Sequence, residues 1–290
     1  MKKFVFSFCL LGLILLLATV QAQQKDDSLV AKGQYIFALA GGCACHSDPK
    51  GAPNAGAREI PIPMAKVYST NLTADKETGL GSWSDQQIHD AMVKGIRRNG
   101  ERLLPAMPYE AYSGMAEEDL KALIAYLRTL KPVRKETPPL KTFVPLYRSV
   151  GAWVWSTFFA RSYPSPVKAP QGGIERGRYL AEHVSLCSDC HTPRNLIGVP
   201  KRDLYMAGAK SGPLGEMVPN ITPDKETGIG EWSRTDIAEI LINGTKPDLD
   251  NVQGLMAEVV EAGYKNMTKD DALAIADYLK TIRPIKNKIE

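Results

Sequence analysis

The chain of 290 residues lacks the features that would place it in several common functional classes. Its formal net charge is only +4 at pH 7, which is too close to neutrality to predict nucleic-acid binding. It has no recognisable Ser-His-Asp or paired acid–base arrangement, so no hydrolytic site is predicted. The apolar internal segment 143–160 is interrupted by Pro145 and Arg148 and is therefore not expected to span a membrane.

The N-terminus carries the pattern of a secretion signal. Lys2 and Lys3 precede an apolar run over residues 4–20, and Val20-Gln21-Ala22 places small residues where a signal peptidase cleaves. We interpret residues 1–22 as a signal peptide. The alternative is an uncleaved N-terminal membrane anchor, because this run lies at the lower edge of membrane-spanning length. Either interpretation predicts that the remainder of the chain is exported.

Cysteine is scarce, and its distribution is unusual for an exported protein. Of the five cysteines, Cys9 lies in the predicted signal, and the other four form two close pairs that each run into a histidine: GGCACHSDP (41–49) and CSDCH (187–191). Four cysteines in an exported chain ordinarily predict two disulfides. A disulfide between such close neighbours would, however, close a strained and tiny loop that stabilises little.

The second pair has the spacing of a known cofactor motif. CSDCH is a complete Cys-x-x-Cys-His, which is typical of covalent haem attachment. Zinc sites of this kind need a second cysteine pair or two separately spaced histidines, and neither follows. A thioredoxin-like redox pair would follow a strand in a βαβ unit, which the helical periodicity of this chain does not support.

An internal repeat organises the chain into two copies of one domain, with short insertions in the second copy. Three pairs of segments match, at offsets of 149, 144 and 152 respectively: STNLTADKETGLGSWSDQQI (69–88) with VPNITPDKETGIGEWSRTDI (218–237), Gly33-x-Tyr35 with Gly177-x-Tyr179, and AYLRTLKP (125–132) with DYLKTIRP (277–284). Seven prolines between residues 131 and 173 mark a linker. The predicted bounds are 26–131 for the first haem domain, 132–172 for the linker and 173–286 for the second haem domain.

Helical periodicity dominates both copies, and no convincing period-2 strand is found. Ser84 and Ser233 stand at expected N-cap positions, with Gln87 and Asp236 three residues further on. The fold class is therefore predicted to be all-α. Within the linker, the Trp- and Phe-rich segment 143–160 is expected to pack across the two domains, and the alternative is an exposed patch for a partner or for lipid. In the first copy, residues at i, i+3, i+4, i+7 and i+8 form one helical face: Ile88, Ala91, Met92, Gly95 and Ile96.

Counting from the repeated glycine locates the irregularity in the first cysteine pair. The glycine precedes the first cysteine by ten residues in both copies, but it precedes the histidine by thirteen residues in the first copy and fourteen in the second. The missing residue therefore lies between Cys43 and Cys45. We predict haem attachment through both pairs. In the first pair, Cys45 is the cysteine expected to form a thioether, and the sequence does not decide whether Cys43 forms one. The predicted site residues are Cys43, Cys45, Cys187 and Cys190 for attachment and His46 and His191 as iron ligands.

One methionine in each copy is predicted to supply the sixth ligand of the iron in that copy. Met107 and Met256 match at the offset of 149, and each follows the repeated tryptophan by 24 residues. Thioether sulfur is the usual sixth ligand in electron-transfer haem proteins. Met115 and Met267 also match, but they immediately precede the last helix of each copy, where an apolar residue is expected for packing.

The chain resembles the exported di-haem cytochromes c, and it is especially similar to the cytochrome subunits that accompany alcohol, gluconate and related dehydrogenases in bacteria. The resemblance implies two tandem class I cytochrome c-like domains, two covalently bound haem c groups and a periplasmic location. It also implies His/Met ligation by His46 with Met107 and by His191 with Met256. The chain departs from that family in its shortened first motif. We also do not find the third haem domain and the C-terminal membrane helix that many such subunits carry. The matching segments are GQYIFALAGGCACH, STNLTADKETGLGSWS, LLPAMPYEAY, AYLRTL, GRYLAEHVSLCSDCHTPRN, PNITPDKETGIGEWS and GLMAEVVEAGY.

We therefore expect an electron carrier, or an electron-transfer subunit of an oxidoreductase, rather than an enzyme with its own substrate. It would pass electrons from a dehydrogenase or other donor to the respiratory chain, with a cytochrome or oxidase as acceptor and no nucleic-acid partner. An uncleaved N-terminus would in addition attach it to the membrane. The alternative is a di-haem redox enzyme of the peroxidase or thiosulfate dehydrogenase type, in which one iron has a labile ligand.

Overall fold

The structure is a computed structural model that describes residue 24 and residues 26–289. The predicted signal peptide, 1–22, lies outside the described residues. Among the residues that are described, no helix is both long enough and apolar enough to cross a bilayer.

The first copy of the repeat, 26–131, is built mainly from helices. A helix over 26–39 (α1) leads into the first cysteine motif. The remaining elements are a 3₁₀ turn Gly41–His46, β1 Glu59–Ile62, β2 Ala65–Tyr68, α2 Asp85–Lys94, α3 Tyr109–Tyr112 and α4 Glu117–Leu127.

The linker and the second copy contribute the remaining elements. The linker contributes β3 Lys141–Thr142, a π-helical turn Tyr147–Gly151 and α5 Ala152–Phe158. The second copy contains α6 Gly173–Tyr179 with a π-helical extension Leu180–Val184, α7 Cys187–His191, 3₁₀ turns Arg202–Leu204 and Pro213–Gly215, α8 Arg234–Asn243, α9 Gly254–Ala262, a 3₁₀ turn Tyr264–Asn266 and α10 Lys269–Leu279.

The predicted helix starts are confirmed by reciprocal capping boxes. The Ser84 hydroxyl accepts a hydrogen bond from the backbone N–H of Gln87, whose side chain in turn accepts one from the backbone N–H of Ser84. Ser233 and Asp236 form the same arrangement in the second copy. Each box satisfies two of the N–H groups that a helix start leaves without intrahelical partners, which fixes where α2 and α8 begin.

The repeated glycines mark the places where two helices of each copy cross. A Cβ atom on Gly33 in α1 would lie 1.9 Å from the carbonyl oxygen of Ala122 in α4. A Cβ atom on Gly177 in α6 would lie 1.8 Å from the carbonyl oxygen of Ala274 in α10. Both distances are far below van der Waals contact, so only glycine allows these backbones to approach.

The prediction of an all-α class is wrong, because the mostly helical chain also contains a small antiparallel sheet in the order β1–β2–β3. In β1, the half-buried Ile60 and Ile62 alternate with the exposed Glu59 and Pro61, so a period of two is present but covers only four residues. Proline within so short a run argues against a strand. The third strand comes from the linker and pairs with β2 through Ala65 and Thr142, a non-local contact that periodicity does not reveal.

The linker helix α5 packs across the two copies on one face and is exposed on the other. Trp155 is buried, makes an edge contact with the Tyr109 ring of the first copy, and donates a hydrogen bond from Nε1 to the Ile197 carbonyl of the second copy at 2.9 Å. The expected packing across the two domains is thus observed. The exposed large apolar side chains of residues 143–160 are Phe143, Leu146, Val150, Trp153, Phe158 and Phe159.

Candidate functional site

The second cysteine motif forms a short helix that presents a neutral histidine. α7 spans Cys187–His191 and begins after Leu186, which adopts the left-handed conformation at φ 58°. His191 Nδ1 lies 2.8 Å from the carbonyl oxygen of Pro219. Because a carbonyl only accepts, the proton is on Nδ1, and the lone pair of Nε2 is left for a metal. Burial lowers the pKa of His191 to about 4, which keeps the imidazole neutral.

The histidine of the first motif is held in the same way. His46 Nδ1 lies 2.8 Å from the carbonyl oxygen of Thr70, and burial lowers its pKa from the ordinary value. Thr70 and Pro219 occupy the same position in the repeat, directly before the matching asparagines Asn71 and Asn220. The two copies therefore orient their histidines with an equivalent backbone carbonyl.

The repeated asparagines hold the loops that carry these carbonyls. Asn71 is 1% exposed, and its amide nitrogen donates to Thr78 Oγ1 at 3.0 Å and to the Val133 carbonyl at 2.7 Å. Its amide oxygen accepts from the backbone N–H and the hydroxyl of Thr73. The sequence identified this asparagine only as a marker of the repeat, and its role comes from the structure. The same contacts in the second copy involve Asn220, Thr227, Ile285 and Thr222.

The shortened first motif is accommodated by a left-handed backbone rather than by a helix. The turn Gly41–His46 contains Cys43 at φ 50° and ψ 41°, whereas the second motif is a regular helical turn. A non-glycine residue in this region costs about 1–2 kcal/mol. Gly42 also has a positive φ, and a Cβ atom there would lie 2.4 Å from the Ala262 carbonyl at the end of α9. The first motif is therefore tightly packed against a helix of the second copy.

The four cysteines are chemically suited to thioether formation. In the part of the chain that the structure describes, all four are free thiols, so the alternative of two disulfides is not observed. Burial raises the pKa of Cys43 and of Cys187 to about 12, and it also raises the pKa of Cys190. Free, protonated thiols beside a neutral histidine with an available Nε2 fit a covalently held haem in both copies.

The two pairs of methionines differ in burial. Met115 and Met267 are 0% and 5% exposed and belong to the hydrophobic core, as expected for residues that pack under the last helices. Met107 lies in the loop before α3 and Met256 in the first turn of α9, and both are only partly buried at the edge of that core. Assignment of Met107 and Met256 as iron ligands stays a prediction, and their position at the core edge is compatible with it.

Two contacts near the motifs were not anticipated from the sequence. Arg58 is 8% exposed, donates to the Ala44 carbonyl at 3.3 Å, and forms an ion pair with Glu258 on α9. His183 Nδ1 lies 2.9 Å from the Ala111 carbonyl of the first copy, so this histidine joins the two copies. Both contacts connect residues far apart in sequence, which is why local patterns gave no signal for them.

Substitution of the methionines provides a test of the ligand assignment. Met107→Ala and Met256→Ala are each expected to remove part of the weak near-infrared band that methionine-ligated ferric haem shows. Met115→Ala and Met267→Ala are matched controls, which should keep the band and lower the free energy of unfolding by about 2–5 kcal/mol through an internal cavity. Absorption spectra of the four oxidised proteins decide this, and loss of the band in either control contradicts the assignment.

A family model described as Cytochrome c matches residues 30–131. The chain is 31% identical over 266 residues to a diheme cytochrome c-type protein of Cereibacter sphaeroides. The aligned residues cover 88% of this chain and 86% of that protein.

Two further relatives are subunits of dehydrogenases. The chain is 35% identical over 276 residues to the gluconate 2-dehydrogenase cytochrome c subunit of Pantoea cypripedii, covering 91% of this chain and 62% of the relative. It is 36% identical over 260 residues to the fructose dehydrogenase cytochrome subunit of Gluconobacter japonicus, covering 87% of this chain and 52% of the relative. The chain thus spans only between half and two thirds of the length of these two subunits.

Proposed function

Because this chain belongs to the cytochrome c family, we propose that it is an exported electron-transfer protein with two haem domains, 26–131 and 173–286. Members of the family hold haem c covalently, and the similarity to cytochrome subunits of dehydrogenases is confirmed. The observation that supports two haems is the equivalent placement of His46 and His191. Each histidine donates from Nδ1 to the backbone carbonyl of the residue that precedes the repeated asparagine, Thr70 or Pro219, and each follows a cysteine pair.

The side chains proposed to hold the haems have separable roles. Haem c supplies a one-electron couple between ferric and ferrous iron. Cys187 and Cys190 in the second copy, and Cys45 with or without Cys43 in the first, are proposed to fix the porphyrin covalently. His46 and His191 supply imidazole Nε2, and the carbonyls of Thr70 and Pro219 hold the rings in the orientation and tautomer that this requires.

The proposed partners follow from the relatives. We propose a dehydrogenase as electron donor, a cytochrome or oxidase as acceptor, and the periplasm as the location, with membrane attachment only where the N-terminus is not cleaved. The relatives are cytochrome subunits of gluconate, fructose and alcohol dehydrogenases, and they do not favour the alternative of a peroxidase or thiosulfate dehydrogenase. Co-purification from the native cells, followed by reduction of the haems with the substrate of the co-purified dehydrogenase, tests the donor.

The number of haems is measurable directly. Produced with a c-type maturation system, the chain is expected to gain the mass of two haems in denaturing mass spectrometry. The double variant Cys187→Ala/Cys190→Ala removes both thiols of the regular motif and is expected to lose one haem. A wild-type mass with a single haem contradicts the proposal for the first copy.

A further inference from the structure

The tyrosine of the repeated Gly-x-Tyr bonds to the other copy of the repeat, in both directions. Tyr35 Oη of the first copy donates to Asp271 Oδ2 of the second at 2.7 Å. Tyr179 Oη of the second copy donates to Asp119 Oδ2 of the first at 2.6 Å. The tyrosines match at the offset of 144 and the aspartates at 152, so the same contact is made twice.

Each aspartate also pairs with a cation of its own copy. Lys32 Nζ lies 2.7 Å from Asp119 Oδ1, and Arg176 Nη2 lies 2.8 Å from Asp271 Oδ2. The aspartates are 0% and 9% exposed, and a buried carboxylate is costly unless it is paired and hydrogen-bonded. The cation neutralises each carboxylate from within its copy, while the tyrosine of the other copy supplies a charge-assisted hydrogen bond.

The tyrosine hydroxyls are themselves fixed by a second contact. The backbone N–H of Ala116 donates to Tyr179 Oη at 3.1 Å, and the backbone N–H of Thr268 donates to Tyr35 Oη at 3.2 Å. Each hydroxyl therefore donates to the aspartate and accepts from the residue at the start of the same helix, α4 or α10. We call these two equivalent sets of contacts, around Tyr35–Asp271 and Tyr179–Asp119, the reciprocal clamp.

The tyrosines of the reciprocal clamp lie on the chain segments that lead into the cysteine motifs. Tyr35 lies eight residues before Cys43, and Tyr179 lies eight residues before Cys187, on the helices that lead into the motifs. A single hydrogen bond between the two copies would allow rotation about that contact. Two equivalent bonds between different helix pairs, α1 with α10 and α6 with α4, restrain both the separation and the orientation of the copies. They act beside the contacts between the copies made by Trp155, His183 and Arg58.

We propose that Tyr35 and Tyr179 are positioning residues that hold the two cysteine motifs in one relative geometry for electron exchange between their haems. This inference rests on the proposed presence of two haems. Electron exchange between buried haems slows steeply as their separation increases, so a fixed geometry sets its rate. Each of the two bonds restrains the relative position of the copies, so one bond is expected to keep the geometry when the other is removed, and removal of both is expected to loosen it.

The test compares Tyr35→Phe, Tyr179→Phe and the double variant in the haem-loaded protein. After a single electron is injected by flash photoreduction, its redistribution between the haems is followed by absorption. The expected result is a change of less than threefold in each single variant and a slowing of at least tenfold in the double variant. Tyr68→Phe is the control, because Tyr68 also donates to a carboxylate, Glu59, at 2.8 Å, but within the first copy.

A second measurement does not depend on the number of haems. The wild type and Tyr68→Phe are expected to unfold at the same temperature. The double variant is expected to unfold at a lower temperature, because the buried Asp119 and Asp271 each lose a hydrogen-bond donor from the other copy, while the Arg58–Glu258 ion pair and the Trp155–Ile197 hydrogen bond remain. A double variant with the wild-type exchange rate, or with the wild-type unfolding temperature, overturns the clamp. If mass spectrometry finds only one haem, the proposed function fails for the first copy, and the unfolding experiment still decides whether the clamp joins the copies.

Discussion

Replacement of Cys45 by alanine is expected to release the first haem from the chain, whereas Cys43→Ala leaves it attached. Cys45 directly precedes His46, so its thiol and the imidazole are held together by one peptide unit. Cys43 lies in a left-handed turn that replaces the regular helical spacing, and its thiol has lost one residue of reach. Denaturing gels stained for haem, together with intact mass, are expected to show one haem in Cys45→Ala and two in Cys43→Ala.

The second motif serves as the control for this experiment. Cys187 and Cys190 have regular spacing in α7, so removal of either thiol is expected to leave the haem attached through the other. One unreacted vinyl in the first copy extends the conjugated ring, so the reduced pyridine haemochrome of the wild type should contain a red-shifted component beside the ordinary c-type band. A single c-type band, with the first haem retained in Cys45→Ala, shows that the short loop closes at both thiols.

Substitution of Gly177 by alanine is expected to lower the free energy of unfolding by about 3 kcal/mol, the upper end of ordinary overpacking effects. The added Cβ would meet the Ala274 carbonyl at 1.8 Å, so α6 and α10 would have to separate, and the backbone offers no flexible side chain that moves aside. Gly33→Ala is expected to have the same effect on α1 and α4. Denaturant unfolding followed by circular dichroism measures the change.

Gly151→Ala provides the matched control for overpacking. Gly151 also has helical backbone angles, but a Cβ there would contact only the Tyr147 ring, at 3.7 Å, an ordinary van der Waals distance. Alanine is intrinsically favoured over glycine in helices, so this variant is expected to unfold at or slightly above the wild-type denaturant concentration. Equal unfolding midpoints for Gly177→Ala and Gly151→Ala contradict the close crossing of α6 and α10.

Several features were predictable because they depend on neighbours in the sequence. The capping boxes at Ser84 and Ser233 involve residues three positions apart, and both form as expected. His46 and His191 follow the matching cysteine pairs, and in both copies Nδ1 lies 2.8 Å from the carbonyl oxygen of the residue before the repeated asparagine. The core positions of Met115 and Met267 followed from their place before an amphipathic helix.

The sequence alone failed where contacts are non-local. The small sheet was missed because β1 contains a proline and its third strand comes from the linker. The repeated Gly-x-Tyr was recognised as a pattern, but nothing local assigns the tyrosine to an aspartate of the other copy. Arg58 and Glu258, 200 positions apart, were likewise invisible to periodicity and spacing.

The sequence by itself determined three features of this protein: two Cys/His motifs, an internal repeat that pairs them, and a family identity that the comparisons confirm. These depend on residue types and short spacings, which a linear pattern contains in full. Only the tertiary structure decided how the copies face each other, because the contacts between them, such as Tyr35 with Asp271 and Tyr179 with Asp119, join residues 236 and 60 positions apart. A buried carboxylate is stable only where a cation and a hydrogen-bond donor converge on it, and here that donor comes from the opposite copy.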